Sequence, residues 1–210
     1  MRDQMDRFGE IDTTTSLLQK VVASATSWVV LNGNDKRVSS LRPKEETKTF
    51  LFGHSRSLQQ SFVTDDELHH QDDFSYFLAG DLTYELLDYG KLGISLMRDN
   101  KTLVYKTALT GSHNAINVAA ALTTLIAIKP NADEAKVVAG MSSVRPAFGR
   151  GETFELSDST KITLQLVKNP SGFTHSLRML ESIDYDVIGM AVNDNYADGR
   201  DVSWLWDVDC

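Results

Sequence analysis

Cysteine is almost missing from these 210 residues, because Cys210 at the very end is the only one. A single thiol excludes an internal disulfide framework and any cysteine-based metal cluster within the chain, which indicates a reducing compartment. No stretch approaches the roughly 18 apolar residues of a membrane span. The opening string MRDQMDRFGE is too charged for a signal peptide. We therefore expect a cytoplasmic protein without a transmembrane segment.

Positive charge is also scarce, since 21 Lys and Arg stand against 29 Asp and Glu and leave a net charge of −8. Nucleic-acid backbones are bound by clustered cations, so this balance argues against a nucleic-acid partner. Any anionic ligand must be met by a local arrangement of a few residues. The length suits one large or two small domains, and a hydrophobic fraction of 41% is ordinary for a globular protein.

Short apolar runs alternate with helical patterns along the chain, which predicts an α/β fold. Strand patterns cover residues 28–31, 74–78, 82–87, 103–105, 162–167 and 185–192, and helical patterns cover 114–129, 133–141 and 176–181. The stretch 44–71 looks polar and irregular. A cluster of His69, His70, Asp72 and Asp73 fits a solvated loop better than a metal site, because adjacent histidines point in different directions.

A turn precedes the longest helical pattern, in the string GSHNAINVAAA. Gly111 permits a tight turn, and Ser112 is a candidate N-cap. Asn114 and Asn117 are three residues apart and so share one face of the first helical turn. Their amides can bind the edge of a heteroaromatic ring. Alternatively, Asn114 caps the helix and Asn117 bonds a neighbouring loop.

Two further strings carry candidate cations. In AFGRGETFEL, glycines on both sides of Arg150 allow a closely approached backbone, and the planar guanidinium suits a phosphate. The alternative is an exposed linker arginine that pairs with Glu152 or Glu155. In LVKNPSGF, Lys168 at a strand end is a candidate charge for a phosphate or carboxylate, although Asn169 before a proline is equally a plain turn signal.

The most informative string, NDNYADGRDVSWLWD, follows the apolar run 185–192. A buried strand that ends in Asn, Asp and Gly brings polar residues to the sheet edge where ligands bind in open α/β folds. Four aspartates surround Arg200, which a purely structural turn does not require; a solvated acidic loop is the alternative. For Trp204 and Trp206 we expect core positions, with a partner interface as the alternative.

These strings resemble MurT-type proteins, the Mur-ligase-like subunits that act with a GatD-type glutaminase to amidate lipid II. The family pattern LNDNxADGRDxSWxWDxD is similar to nearly every position from 193 to 209. The string RDQMDRFGEIDT resembles the family's RDQLDRYGEIDT, and LVKNPSGF resembles LAKNPAGF. The resemblance implies part of a Mur ligase central ATPase domain over residues 1–147, followed by part of a Rossmann-like C-terminal domain over 148–210.

The resemblance also implies a nucleotide site in an ATP-dependent carbon–nitrogen ligase. Asn117 corresponds to the asparagine that contacts adenine in Mur ligases, and Asn114 lies in the same motif. Arg150 corresponds to an arginine that reaches the nucleotide. Lys168 and Asn169 correspond to a loop over the ribose and phosphates.

Asp201 is the residue to which the resemblance assigns a catalytic role. It corresponds to the acid that orients the histidine of the glutaminase, as in any triad of nucleophile, base and orienting acid. In the family, ammonia released by that partner attacks the phosphorylated carboxylate of D-isoglutamate in lipid II. The implied partners are thus a GatD-type glutaminase and lipid II, at the inner face of the membrane.

Three departures from the family set limits on these roles. The chain has no GxxGKT-type phosphate loop, lacks the four cysteines of the family's zinc ribbon, and carries Gln4 where Mur ligases have a magnesium-binding histidine. The implied cofactors are ATP and Mg²⁺, without a ribbon zinc. The alternative function is a truncated, catalytically inactive paralogue that retains only the surface on which the glutaminase docks.

Overall fold

This computed structural model describes residues 11–62, 75–90, 93–146, 149–168, 170–180, 184–192, 205–206 and 208. The chain divides into two compact units. The larger unit comprises residues 15–145, and the smaller one combines residues 146–210 with residues 1–14. The described residues form one sheet in each unit, of five strands in the larger and two in the smaller.

The sheet of the larger unit is mixed, and its strands follow the order of the chain. They are β1 (Trp28–Asn32), β2 (Lys48–His54), β3 (Tyr84–Gly90), β4 (Gly93–Arg98) and β5 (Lys101–Tyr105). β1, β2 and β3 pair in parallel, whereas β4 pairs antiparallel with both β3 and β5. β5 therefore runs in the same direction as β1–β3. The carboxyl ends of these four strands meet at one side of the sheet, here called the carboxyl edge.

The helix that packs on this sheet is the alanine-rich one. The helices from residue 11 to 143 are α1 (Ile11–Ser24), α2 (Lys36–Ser39), α3 (Ser112–Ile128) and α4 (Glu134–Ser143), with a 3-10 helix at Arg56–Ser61. α3 lies across β1, β2 and β3. Its buried residues recur at the spacing of one helical face: Ala115, Val118, Ala119, Leu122, Thr123 and Ile126. Pro130 follows the end of α3 and offers no N–H for another turn.

An apolar cluster lies on each face of the large sheet, and the second cluster is confined to the β1 side. The first joins α3 to β3, β4 and β5, and the second joins α1 to β1. Phe52 packs against the first cluster and its neighbour Leu51 against the second, and successive residues of a strand point to opposite faces. Each fully buried Leu, Ile or Val in these clusters stabilises the unit by roughly 1.5–3 kcal/mol. The carboxyl edge thus rests on a packed, two-sided core.

The smaller unit contains a hairpin of β6 (Arg150–Glu155) and β7 (Lys161–Gln165), followed by α5 (Pro170–Leu180). Phe154 pairs with Ile162 and Glu152 pairs with Leu164, so Phe154, Ile162 and Leu164 share one face of the hairpin. These three apolar side chains are 42–47% exposed. The apolar face of the hairpin is therefore largely open to solvent.

The predicted α/β class is confirmed, with β1, β5 and α3 at or near their predicted positions. The irregular stretch predicted at 44–71 is wrong, because residues 48–54 form β2 in the middle of the parallel part of the sheet. The strand predicted at 74–78 is also wrong for the described residues 75–78. Strands β4 and β6 and helix α1 were not predicted.

The strand predicted at 185–192 is wrong as well. Residues 184–192 have no strand structure, and Val187, Met190 and Val192 are 84%, 63% and 50% exposed. A strand requires backbone hydrogen bonds from a neighbour, and no described strand pairs with these residues. The apolar pattern indicates that the side chains of this segment could be buried. It does not show whether a neighbouring strand is available to pair with them.

Candidate functional site

The polar residues that end β1 hold the carboxyl edge together. Asn34 accepts a hydrogen bond from the His54 N–H at its Oδ1 over 2.7 Å and donates through Nδ2 to the Phe77 carbonyl over 2.9 Å. Its own N–H donates to the Asn32 Oδ1 over 3.0 Å. A Cβ on Gly53 would collide with the Asn34 Oδ1, which the His54 N–H holds in place, so glycine fits best there. The amide of Asn34 therefore serves the fold rather than a ligand.

Asp35, the next polar residue, is also engaged in the backbone. Its Oδ1 accepts from the Val38 N–H at 2.9 Å and thereby caps the short helix α2. This carboxylate was a natural candidate for a ligand contact, because it follows a buried strand at the carboxyl edge. Its contact with α2 shows why polar residues after a strand are not by themselves a binding site.

Residues 75–83, here called the strap, run along the carboxyl ends of β1 and β2. The Tyr76 hydroxyl donates to the His54 carbonyl over 2.9 Å, the Ala79 N–H to the Gly33 carbonyl over 3.0 Å, and the Thr83 N–H to the Leu51 carbonyl over 2.7 Å. The backbone of these strand ends is thus satisfied by the chain itself. Among the described residues of the larger unit, the next candidate region is the start of α3, which follows β5.

His54 lies under the strap and was missed by the sequence analysis. It is 5% exposed, its ring stacks on Phe62 at 4.6 Å between centroids, and Tyr76 meets it edge-on at 6.0 Å. Nδ1 lies 3.0 Å from the Ser55 carbonyl, which favours the tautomer with the proton on Nδ1. The guanidinium of Arg56 lies over the Tyr76 ring at 5.2 Å. The signal for His54 was the string FLFGH inside a polar stretch.

Tyr105, a residue of the larger unit whose pKa is clearly shifted, lies in the core. Burial, reinforced by the neighbouring Tyr84, raises the pKa of the Tyr105 hydroxyl well above its usual range. Arg98 donates to the Tyr84 hydroxyl over 3.4 Å and lies over its ring at 5.6 Å. Tyr105 therefore stays neutral at physiological pH. We assign this group to packing, because it is 1% exposed at the end of β5.

The start of α3 places the two predicted asparagines in different environments. Gly111 has φ +86° and occupies the N-cap position without a side-chain cap, so the predicted N-cap role of Ser112 is wrong: it is the first helical residue. Asn114 donates through Nδ2 to the Thr110 carbonyl over 2.8 Å, which leaves its Oδ1 as an acceptor. Asn117 is exposed. An exposed amide offers one acceptor and two donors, the set that a heteroaromatic edge requires.

The smaller unit holds Arg150 in an unusual backbone setting. Gly149 and Gly151 on either side have φ +70° and +85°, which confirms that glycines are required there. Glu152 accepts from the Gly149 N–H at 2.6 Å. Lys168 is exposed, three residues after β7. Arg150 and Lys168 are cationic residue types, which suit an anionic ligand.

Comparison with known proteins shows which proteins this chain resembles. The family described as "MurT ligase C-terminal" matches residues 166–210. The MurT subunit of lipid II isoglutaminyl synthase (glutamine-hydrolyzing) from Streptococcus pneumoniae (strain ATCC BAA-255 / R6) is 30% identical over 99% of this chain and 51% of its own length. The subunit of the same name from Staphylococcus aureus (strain COL) is 28% identical, over 99% and 52%. The predicted resemblance to MurT-type proteins is confirmed. The chain spans about half the length of these relatives.

Several solved structures share the fold of this chain. A pseudomurein peptide ligase type C from Methanothermus fervidus matches with a TM-score of 0.63, at 16% identity over 88% of this chain and 39% of that one. MurF from Acinetobacter baumannii matches with a TM-score of 0.61, at 13% identity over 86% and 35%. The fold is therefore that of the Mur ligases.

Several residues implied by the MurT resemblance lie outside the described residues, namely Gln4, Asn169, Asp201 and Trp204. Trp206 is described and is 90% exposed, so its predicted core position is wrong. Within the described part of the chain, no three His, Cys, Asp or Glu side chains lie together as a metal site. The same part has no helix that is long and apolar enough to span a membrane.

Proposed function

We propose that this chain belongs to an ATP-dependent carbon–nitrogen ligase that amidates the D-glutamate carboxylate of lipid II to D-isoglutamine in peptidoglycan synthesis. The observation that carries the proposal is the similarity to MurT subunits along 99% of the chain, joined to a Mur ligase fold. The relatives are named as subunits, so we also propose a glutaminase partner of the GatD type and a cytoplasmic site of action at the membrane face.

In this proposal ATP supplies the phosphoryl group that activates the carboxylate. Asn117 would bind the adenine edge, because its amide is exposed on the first turns of α3. Asn114 would support it through its remaining acceptor. Arg150 and Lys168 would offer their charges to the phosphates, and the resemblance assigns Asn169 to the loop over the ribose and phosphates. No described residues form a metal cluster, so we assign no ligand to Mg²⁺.

An ATP titration of the 210-residue chain tests the nucleotide site. We expect Asn117→Ala to weaken ATP binding about tenfold, or roughly 1.4 kcal/mol, because it removes hydrogen bonds to the base edge. Asn131→Ala is the matched control, since Asn131 is also exposed but follows the opposite end of α3. Equal affinities of the two variants for ATP would refute the adenine contact. Isothermal titration calorimetry gives both dissociation constants.

ATP binding also separates the proposal from its rival. No phosphate loop of the GxxGKT type occurs in these residues, which favours the inactive paralogue that only docks a glutaminase. Under that alternative the unmodified chain binds no ATP at millimolar concentration but still forms a complex with the glutaminase. Measurable ATP binding that depends on Asn117 would exclude it.

Asp201 would act on the partner rather than on ATP. A carboxylate bonded to the histidine of a Cys–His pair fixes the imidazole tautomer and stabilises the imidazolium. In the complex with the glutaminase, we expect Asp201→Asn to reduce glutamine-dependent amidation on the order of 10³-fold. Amidation with added ammonia should be unchanged, because ammonia bypasses the glutaminase.

Two controls accompany the Asp201 variant. Asp207→Asn removes a carboxylate from the same string, and size-exclusion chromatography verifies that each variant still assembles with the glutaminase. An Asp201→Asn complex that assembles and retains glutamine-dependent amidation would contradict the orienting role. A loss of both the glutamine-dependent and the ammonia-dependent reaction would point to a folding defect instead.

A further inference from the structure

Gly149, directly before Arg150, has both of its backbone polar groups engaged. Its N–H donates to the Glu152 Oε2 over 2.6 Å, and its carbonyl accepts from the Leu166 N–H over 2.7 Å. The first bond spans Arg150 and Gly151 at the start of β6, and the second joins Gly149 to the residue that follows β7. Hydrogen bonds to a carboxylate are shorter and stronger than those between neutral groups. The position of the Arg150 backbone is thus defined from its N-terminal side.

A β-bulge defines the position of Arg150 from its other side. Arg150 pairs with Gln165 and Glu152 with Leu164, which leaves Gly151 as the extra residue. Bulges bend a strand and change the direction in which the adjacent side chain points. Two of three consecutive residues here have positive φ, at +70° and +85°. Such a backbone persists only where surrounding bonds hold it in place.

The hairpin contains three acidic residues, and of these only Glu152 is placed to hold the backbone around Arg150. Glu155, three residues further along β6, is exposed, and it pairs with Lys161 at the far end of the hairpin. Asp158 lies in the turn, where its Oδ1 accepts from the Thr160 N–H at 3.0 Å. Glu152 is half-buried and its Oε2 is bonded to the backbone. A role as a simple counter-charge for Arg150 does not require that bond.

We propose that Glu152 is a positioning residue for phosphate binding by Arg150. Its carboxylate closes a clasp with the Gly149 N–H, and this clasp fixes the bulged backbone that carries Arg150. The proposal rests on the proposed function, in which Arg150 binds the phosphates of ATP. A guanidinium binds two oxygens at once only in a narrow range of directions, so a fixed backbone reduces the entropy lost on binding.

A double-mutant cycle with ATP as the probe tests the clasp. In the 210-residue chain, we expect Glu152→Ala to weaken ATP binding about threefold to tenfold. The variant with both Glu152→Ala and Arg150→Ala should bind no more weakly than Arg150→Ala alone, because Glu152 acts through Arg150. Glu152→Gln keeps an acceptor oxygen for the Gly149 N–H and should recover most of the affinity. Glu155→Ala is the matched control and should bind ATP normally.

Amide hydrogen exchange at Gly149 gives a second measurement that does not depend on ATP. We expect Glu152→Ala to accelerate exchange of this amide, whereas Glu155→Ala leaves it unchanged and Glu152→Gln has a smaller effect. An unprotected Gly149 amide in the unmodified chain would refute the clasp. Additive losses in the cycle, or normal ATP binding by Glu152→Ala, would overturn the positioning role and leave the proposed function intact. If the unmodified chain binds no ATP, both proposals fail.

Discussion

The two units differ in where their apolar side chains lie. In the larger unit, Leu86 and Leu96 are fully buried between α3 and the sheet. In the smaller unit, Leu164 and Phe154 of the hairpin are 46% and 47% exposed. Side chains that are fully buried gain their full transfer free energy, whereas side chains that are nearly half exposed gain only part of it. Stability therefore resides mainly in the larger unit.

The units also differ in how they use polar residues beside a strand end. At the carboxyl edge of the larger unit, the side chains of Asn34 and Asp35 form hydrogen bonds with backbone groups. In the smaller unit, Glu152 likewise bonds a backbone N–H, but it does so around a cation candidate, Arg150. A polar residue that holds its own loop can still serve a ligand through the neighbour that it orients.

The largest expected difference in stability between the two units comes from replacing a leucine by alanine in each of them. Leu96→Ala leaves a cavity in a side-chain position that is 0% exposed, so we expect it to reduce the free energy of unfolding by about 2–5 kcal/mol. Leu164→Ala in the hairpin should cost about 0.5 kcal/mol or less, because nearly half of that side chain is already in water. Urea denaturation followed by circular dichroism measures both changes.

Hydrogen exchange locates these losses within the chain. Leu96→Ala should accelerate exchange across β3, β4 and α3 together, since these elements share one cluster. Equal destabilisation by the two substitutions would show that the exposed face of the hairpin is buried in solution. The difference between the units would then not hold.

Sequence patterns predicted those elements whose burial follows from local periodicity. The alanine-rich pattern predicted α3, because its face spacing is independent of which strands lie beneath it. β2 was not predicted, because its apolar run is short and lies between polar stretches. Its strand structure depends on pairing with β1 and β3. The prediction for residues 185–192 was wrong in the opposite way. Their apolar pattern predicted a strand, but no described strand pairs with them.

The candidate site was predictable in its residue types but not in its contacts. The string GRG indicated a special backbone at Arg150, and both glycines have positive φ. The bond from the Gly149 N–H to Glu152 could not be foreseen, because a carboxylate two residues past an arginine suggests an ion pair with equal force. His54 and the strap were missed for a similar reason: their contacts join segments more than 20 residues apart, which no local pattern encodes.

The smallest effect that distinguishes the units compares two glycines. Gly149→Ala must adopt φ near +70° and should cost roughly 1–2 kcal/mol, although its Cβ would meet the nearest atom only at 3.7 Å. Gly140→Ala lies in α4 with no atom within 4 Å of the new Cβ, and should stabilise by roughly 0.5–1 kcal/mol. The same substitution, Gly to Ala, is thus expected to change the free energy of unfolding in opposite directions at these two positions. Destabilisation by both would show that space, rather than backbone conformation, limits these positions, and a neutral Gly149→Ala would mean that the bulge around Arg150 is not held in solution.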